Sequence, residues 1–98
     1  MSKGSIDTIV AKRWVSKVVG QGCIVCRNLG YGPTPAVYHH IREGAGAGQK
    51  NGAFLGIALC PQHHVGEAGV GFHTDQKAFE RMYGSELDLL NQTIGELA

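Results

Sequence analysis

Apolar residues recur at intervals of three and four along Ile6, Ile9, Val10, Trp14 and Val18, the period of one helix face. The spacing predicts a helix over residues 6–19, capped by Ser5 or Asp7 and ended by Gly20 and Gly22, after a loose start over residues 1–5. The β-branched content of this stretch also suits a strand. Residues 20–35 hold Gly20, Gly22, Gly30, Gly32, Pro33 and Pro35 and read as turn and loop. Val37, Tyr38 and Ile41 mark a short strand over residues 36–41. Four glycines in residues 42–52 make an open loop. The apolar run 53–59 is a second strand, and Pro61 suits the first turn of a short helix.

The last quarter of the chain is helical in pattern. Thr74 is expected to cap a helix with Asp75 in its first turn and Ala78, Phe79, Met82 and Tyr83 on one side, closed by Gly84. Ser85 followed by Asp88 has the form of a capping box. Leu87, Leu90, Ile94 and Leu97 then form an apolar stripe.

With 98 residues the default is one domain. A chain of this length buries only roughly two-thirds of its unfolded surface. A structural metal, worth about 10–16 kcal/mol at neutral pH, would therefore matter to its stability. Net charge is +1, which argues against a broad non-specific nucleic-acid footprint. The charge is divided, however. Residues 1–50 carry seven Lys/Arg against two acids, and residues 51–98 carry two against six. Lys12, Arg13, Lys17, Arg27, Arg42 and Lys50 could form a phosphate-facing side or a merely solvated one. Three cysteines cannot pair completely and no secretory signal is seen, so reduced thiols in the cytoplasm are expected. No apolar run is long enough to span a bilayer.

All three cysteines and four of the five histidines fall in Cys23-Ile24-Val25-Cys26, His39-His40 and Cys60-Pro61-Gln62-His63-His64. Thiolate and imidazole are the donors Zn²⁺ prefers, and two pairs with two-residue spacers can close one tetrahedral site. Cys23, Cys26, Cys60 and His63 supply those four ligands, in a treble-clef-like spacing of knuckle, hairpin and helix start. Neighbours on a strand face opposite ways, so one of His39 and His40 can hold a metal while the other faces a substrate or the core. His64 lies about 100° round a helix from His63 and points elsewhere. His39, His64 and His73 could then hold a second, catalytic metal with open positions.

These residues resemble the HNH endonuclease superfamily with its ββα-metal core. The finer match is to small phage-type nucleases similar to the RecA-dependent recombination-enhancement nuclease. The motifs are Gly22-Cys23-Ile24-Val25-Cys26-Arg27, His39-His40-Ile41-Arg42, Gly46-Ala47-Gly48-Gln49-Lys50, Cys60 to His64, and the tail His73…Phe79…Tyr83-Gly84, spanning about residues 10–95. The resemblance implies an α+β, zinc-stapled ββα-metal (HNH) core over residues 20–66, between an N-terminal helix and a helical tail over 74–97, in one domain of 1–98. It implies a metal-dependent endonuclease acting on DNA phosphodiesters in phage or prophage recombination, with a RecA-like filament as partner, in the bacterial cytoplasm. His40 falls on the general base, and His39, His64 and His73 fall on ligands of Mg²⁺ or another divalent ion.

The middle Asn of the HNH pattern has no clean counterpart. It would fall near Leu55, Ala53 stands close to where related phage sequences prefer Asp, and Asn51 is the nearest substitute. Neutral imidazole, titrating at about 6.5, can take a proton from water, the role expected of His40. Arg42 and Lys50 are expected to grip phosphate. The competing expectation is a non-catalytic zinc module for DNA or protein partners with a decayed HNH site.

Overall fold

A computed structural model describes residues 4–42 and 54–97. The first helix, α1, runs Gly4–Gly20 and the strand alternative for this stretch does not form. Only the end of its expected stripe is covered: Val18 is buried and Trp14 half-buried, while Ile9 and Val10 are exposed. The proposed caps Ser5 and Asp7 lie outside the residues whose side chains are described.

The stretch 20–35, expected to be loop throughout, contains a one-turn helix, α2, Ile24–Asn28. Ile24 and Val25 are fully buried, and burial of β-branched side chains offsets their weak helix preference. Cys23 caps the turn with its sulfur, which accepts from the Cys26 amide at 3.4 Å. The entry to this turn depends on Gly22. Its φ is +84°, and a Cβ there would stand 2.6 Å from the Pro33 Cα. The Cys23 amide then donates to the Thr34 carbonyl at 2.9 Å, which closes the loop behind the knuckle.

Strands β1, Val37–His40, and β2, Gly56–Leu59, are antiparallel, with Val37 opposite Leu59 and His40 opposite Gly56. Every β2 residue is buried. Helices pack against this strand from several sides: α1, α2, then α3, Pro61–Val65, and α5, Glu86–Leu97. A strand enclosed in this way reads as a continuous apolar run, which Ile57-Ala58-Leu59 is. β1 has one covered face, so His39 is buried and His40 exposed.

Helix α4, Gln76–Tyr83, is capped by Asp75, whose carboxylate accepts from the Ala78 amide at 3.1 Å. Thr74, the expected cap, instead donates its hydroxyl to the Gly66 carbonyl at 2.6 Å. The Ser85–Asp88 capping box forms reciprocally, at 3.2 and 3.0 Å. The buried face of α5 differs from the expected stripe. Glu86, Leu89, Leu90 and Thr93 are covered, whereas Leu87 and Ile94 are 42% and 41% exposed. Both series have helical spacing, so periodicity alone does not choose between them. The core joins Cys23, Ile24, Val25, Ile41, Ile57, Leu59, Phe72, Phe79, Leu89 and Leu90.

Gly22→Ala should lower stability by roughly 2–4 kcal/mol, combining left-handed backbone strain with overpacking against Pro33. Urea denaturation of the metal-loaded protein measures this, and a midpoint equal to that of the parent would contradict the tight approach.

Two adjacent metal-ligand clusters

Cys23 and Cys26 come from the α2 knuckle, Cys60 from the end of β2, and His63 from the first turn of α3. All four are buried and all three thiols are free. Cys26 and Cys60 sulfurs lie 3.8 Å apart. His63 Nδ1 is 3.6 Å from Cys23 Sγ, 3.6 Å from Cys26 Sγ and 3.3 Å from Cys60 Sγ. A tetrahedral zinc with bonds of about 2.3 Å to sulfur and about 2.0 Å to nitrogen holds S–S pairs about 3.8 Å apart and S–N pairs about 3.5 Å apart. The three S–N separations and the Cys26–Cys60 separation are close to those of a zinc coordination sphere, all four donors lie within 4.8 Å of one another, and the cluster could hold a metal such as zinc.

The chemistry of the donors supports the same fit. Burial pushes the Cys23 thiol up to about 11, so without a cation that thiol stays protonated. Burial also holds His63 below the ordinary imidazole value, which keeps its ring available as a donor. The Tyr83 ring stands edge-on to His63 at 5.1 Å and shields it.

A second cluster begins one residue further along α3. Pro61 starts the helix, and the His64 amide donates to the Cys60 carbonyl at 2.9 Å. Consecutive helical residues point about 100° apart, so His64 leaves the Cys₃His cluster. The chain then folds back on the open end of α3. The Phe72 amide donates to the His63 carbonyl at 2.8 Å and the His73 amide to the His64 carbonyl at 2.9 Å. Carbonyls at a helix end lack partners within the helix, and this return supplies them. It needs Gly71, where a Cβ would meet the Gly66 nitrogen at 2.5 Å. The consequence is that the His64 and His73 rings lie 4.6 Å apart.

His39 completes the group from β1, its ring 5.3 Å from His64 and 5.0 Å from His73. One nitrogen from each of the three lies within 4.8 Å of the others. His64 and His73 are each held below the ordinary imidazole value, first by burial and then by mutual repulsion within the histidine cluster, with Arg42 adding to the shift at His73 and Glu86 opposing it. Neutral rings are the form that binds a cation. The cluster opens on a cleft of about 250 Å³ lined by these histidines and by Tyr38, His40, Ile41 and Arg42.

His40 thus lies at the same cleft as the three histidines but on the exposed side of β1, with the Tyr38 ring edge-on at 5.1 Å. Asn51 and Lys50 lie outside the described residues. Arg27, one of the candidate phosphate-facing cations, instead makes a two-pronged ion pair with Glu96 at 2.9 and 3.3 Å and holds that carboxylate below its usual range.

One residue at the site was not signalled by the motifs. Glu86, at the start of α5, is 0% exposed. Its Oε2 is 2.6 Å from His39 Nε2, and its Oε1 accepts from the Arg42 amide at 2.8 Å. The available sequence signal was an acidic residue on the Leu89–Leu90–Thr93 face of the last helix.

Compared with known families, residues 1–98 match the one described as "Protein of unknown function (DUF968)". No curated protein matches the chain. Among the described residues no helix is long and apolar enough to cross a membrane.

As pH falls, the unfolded chain should take up protons at the positions of His63, His64 and His73 before the folded one does. Their contribution is therefore intact above the ordinary imidazole value and declines below it. Protons also compete with metal for thiolates and imidazoles. The urea midpoint should drop between roughly pH 7.5 and 5.5, and a flat profile would contradict both effects. Zinc held by the Cys₃His cluster should be lost in Cys60→Ser, measured by elemental analysis after dialysis; full retention of one zinc per chain would exclude the Cys₃His site.

Proposed function

The chain belongs to the DUF968 family, and since that description assigns no activity, we propose from its own residues that it is a metal-dependent endonuclease of HNH type acting on DNA. One observation carries the reading. The histidines not needed by the Cys₃His cluster meet at a cleft that also receives His40 and Arg42. A scaffold stapled by one zinc requires none of them.

In this reading Cys23, Cys26, Cys60 and His63 hold structural zinc. His39, His64 and His73 hold the catalytic ion, Mg²⁺ or another divalent metal. When bound there, that ion supplies charge neutralisation at the phosphate and at the departing oxygen. His40, exposed at the cleft, removes a proton from the attacking water. The new bond joins water oxygen to phosphorus, the P–O bond to one sugar breaks, and the departing oxygen takes up a proton from solvent. Arg42 pairs with a neighbouring phosphate oxygen, a charge-assisted contact. Asn51 keeps the role expected from the resemblance, orientation of the base, and Lys50 the one expected of its ammonium group, phosphate binding. The recombinase filament as partner and the bacterial cytoplasm as setting rest on the same resemblance.

The test is a cleavage assay on single- and double-stranded DNA with Mg²⁺, Mn²⁺ or Zn²⁺, with and without a recombinase filament. Cleavage should depend on the added divalent ion. His40→Ala should slow it about 10²–10⁴-fold while metal content stays unchanged. Parental cleavage rates in His40→Ala would remove His40 as the base. No cleavage under any condition, with one zinc per chain, would leave a zinc module without catalysis.

A further inference from the structure

We propose that Glu86 is a positioning residue that fixes the tautomer of His39, leaving Nδ1 bare for a cation. Its use at a metal rests on the reading above; the tautomer lock itself does not. Glu86 and His39 are both almost wholly buried, and His39 Nε2 lies 2.6 Å from Glu86 Oε2. An ionised carboxylate can only accept, so a neutral His39 facing it carries its single N–H on Nε2. A neutral ring carries one N–H, and Nδ1 is then the nitrogen with a free lone pair.

The second oxygen makes the arrangement directional. Glu86 Oε1 accepts from the Arg42 backbone amide at 2.8 Å, an obligate donor just past β1. The carboxylate therefore spans the donors of His39 and Arg42, three residues apart, and anchors α5 to the strand end that bears His39 and His40. Outer carboxylates of this kind orient imidazole ligands at metal centres. The fold gives Glu86 no solvent-facing alternative, since its side chain is 0% exposed.

Glu86→Gln separates tautomer control from packing, because the two side chains have nearly the same shape. The Arg42 amide still requires an acceptor, so the Gln oxygen stays on that side and the NH₂ group faces His39. Nε2 must then accept, and the ring proton moves to Nδ1, the nitrogen a cation would use. Ser85→Ala serves as control: it removes the capping box at the same helix start without touching His39.

The readouts are long-range ¹H–¹⁵N spectra of the histidine rings in protein carrying one zinc, and titration of that protein with Mn²⁺. Parental His39 should show the Nε2–H form, and Glu86→Gln the Nδ1–H form with about 10–100-fold weaker Mn²⁺ binding. Ser85→Ala should keep the parental tautomer and affinity. Parental His39 protonated on Nδ1 alone, or Glu86→Gln retaining both tautomer and affinity, would overturn the proposal. The spectrum of the parent decides even if Glu86→Gln does not fold. The expected parental tautomer with no Mn²⁺ uptake supports the Glu86 lock and overturns the metal reading instead.

Discussion

Four buried donors set the geometry on which the rest of the molecule depends. The Cys₃His cluster ties the α2 knuckle, the end of β2 and the start of α3 to one point. Unlike apolar contacts, its geometry is directional: the three S–N separations and the Cys26–Cys60 separation are close to the edges of a zinc tetrahedron. Once His63 is turned inward, the helical step dictates where His64 goes. The return of residues 66–73 onto the end of α3 dictates where His73 goes. The pairing of β1 with β2 then brings His39 to both. The direction of His64 is therefore a consequence of the first cluster, while His73 and His39 are brought to it by the chain return and the sheet pairing.

The two clusters differ in how much solvent they meet. In the Cys₃His group, burial disfavours the charged Cys23 thiolate unless a cation compensates it, so metal binding there would be coupled to the fold. The three-histidine group has His39 inside, His64 half-covered and His73 exposed. Neutral imidazoles facing a cleft can bind a cation and still admit further ligands. In the proposed reading, that contrast distinguishes a structural centre, closed to solvent, from one suited to chemistry. An aromatic series, His63–Tyr83–Phe79–Phe72–His39, packs between them at ring separations of 4.7 to 5.3 Å.

Much of this was legible in the chain because short-range rules determine it. Ligand spacing in Cys23-x-x-Cys26 and Cys60-x-x-His63 reflects turn geometry. The opposed faces of His39 and His40 follow from strand alternation, and the divergence of His63 and His64 from the helical step. What was not legible depends on tertiary choice. α2 forms where glycines and prolines suggested loop, because Ile24 and Val25 have a core to enter. α5 buries Glu86, Leu89, Leu90 and Thr93 in place of Leu87 and Ile94, since two faces of one helix are equally periodic. Glu86 escaped notice for the same reason: a buried acid is recognisable only through its partners, and those lie 44 and 47 residues away. Asp75 took the cap expected of Thr74 because both are good caps and the Gly66 carbonyl claimed the threonine.

In the proposed reading, adjacent histidines of one short helix serve two different metals. Anomalous X-ray scattering from crystals grown with zinc and soaked in Mn²⁺ tests it most directly. Two peaks are expected: a zinc signal enclosed by Cys23, Cys26, Cys60 and His63, and a manganese signal among His39, His64 and His73. A single peak at the Cys₃His cluster, with the three histidines carrying no ion, would contradict it.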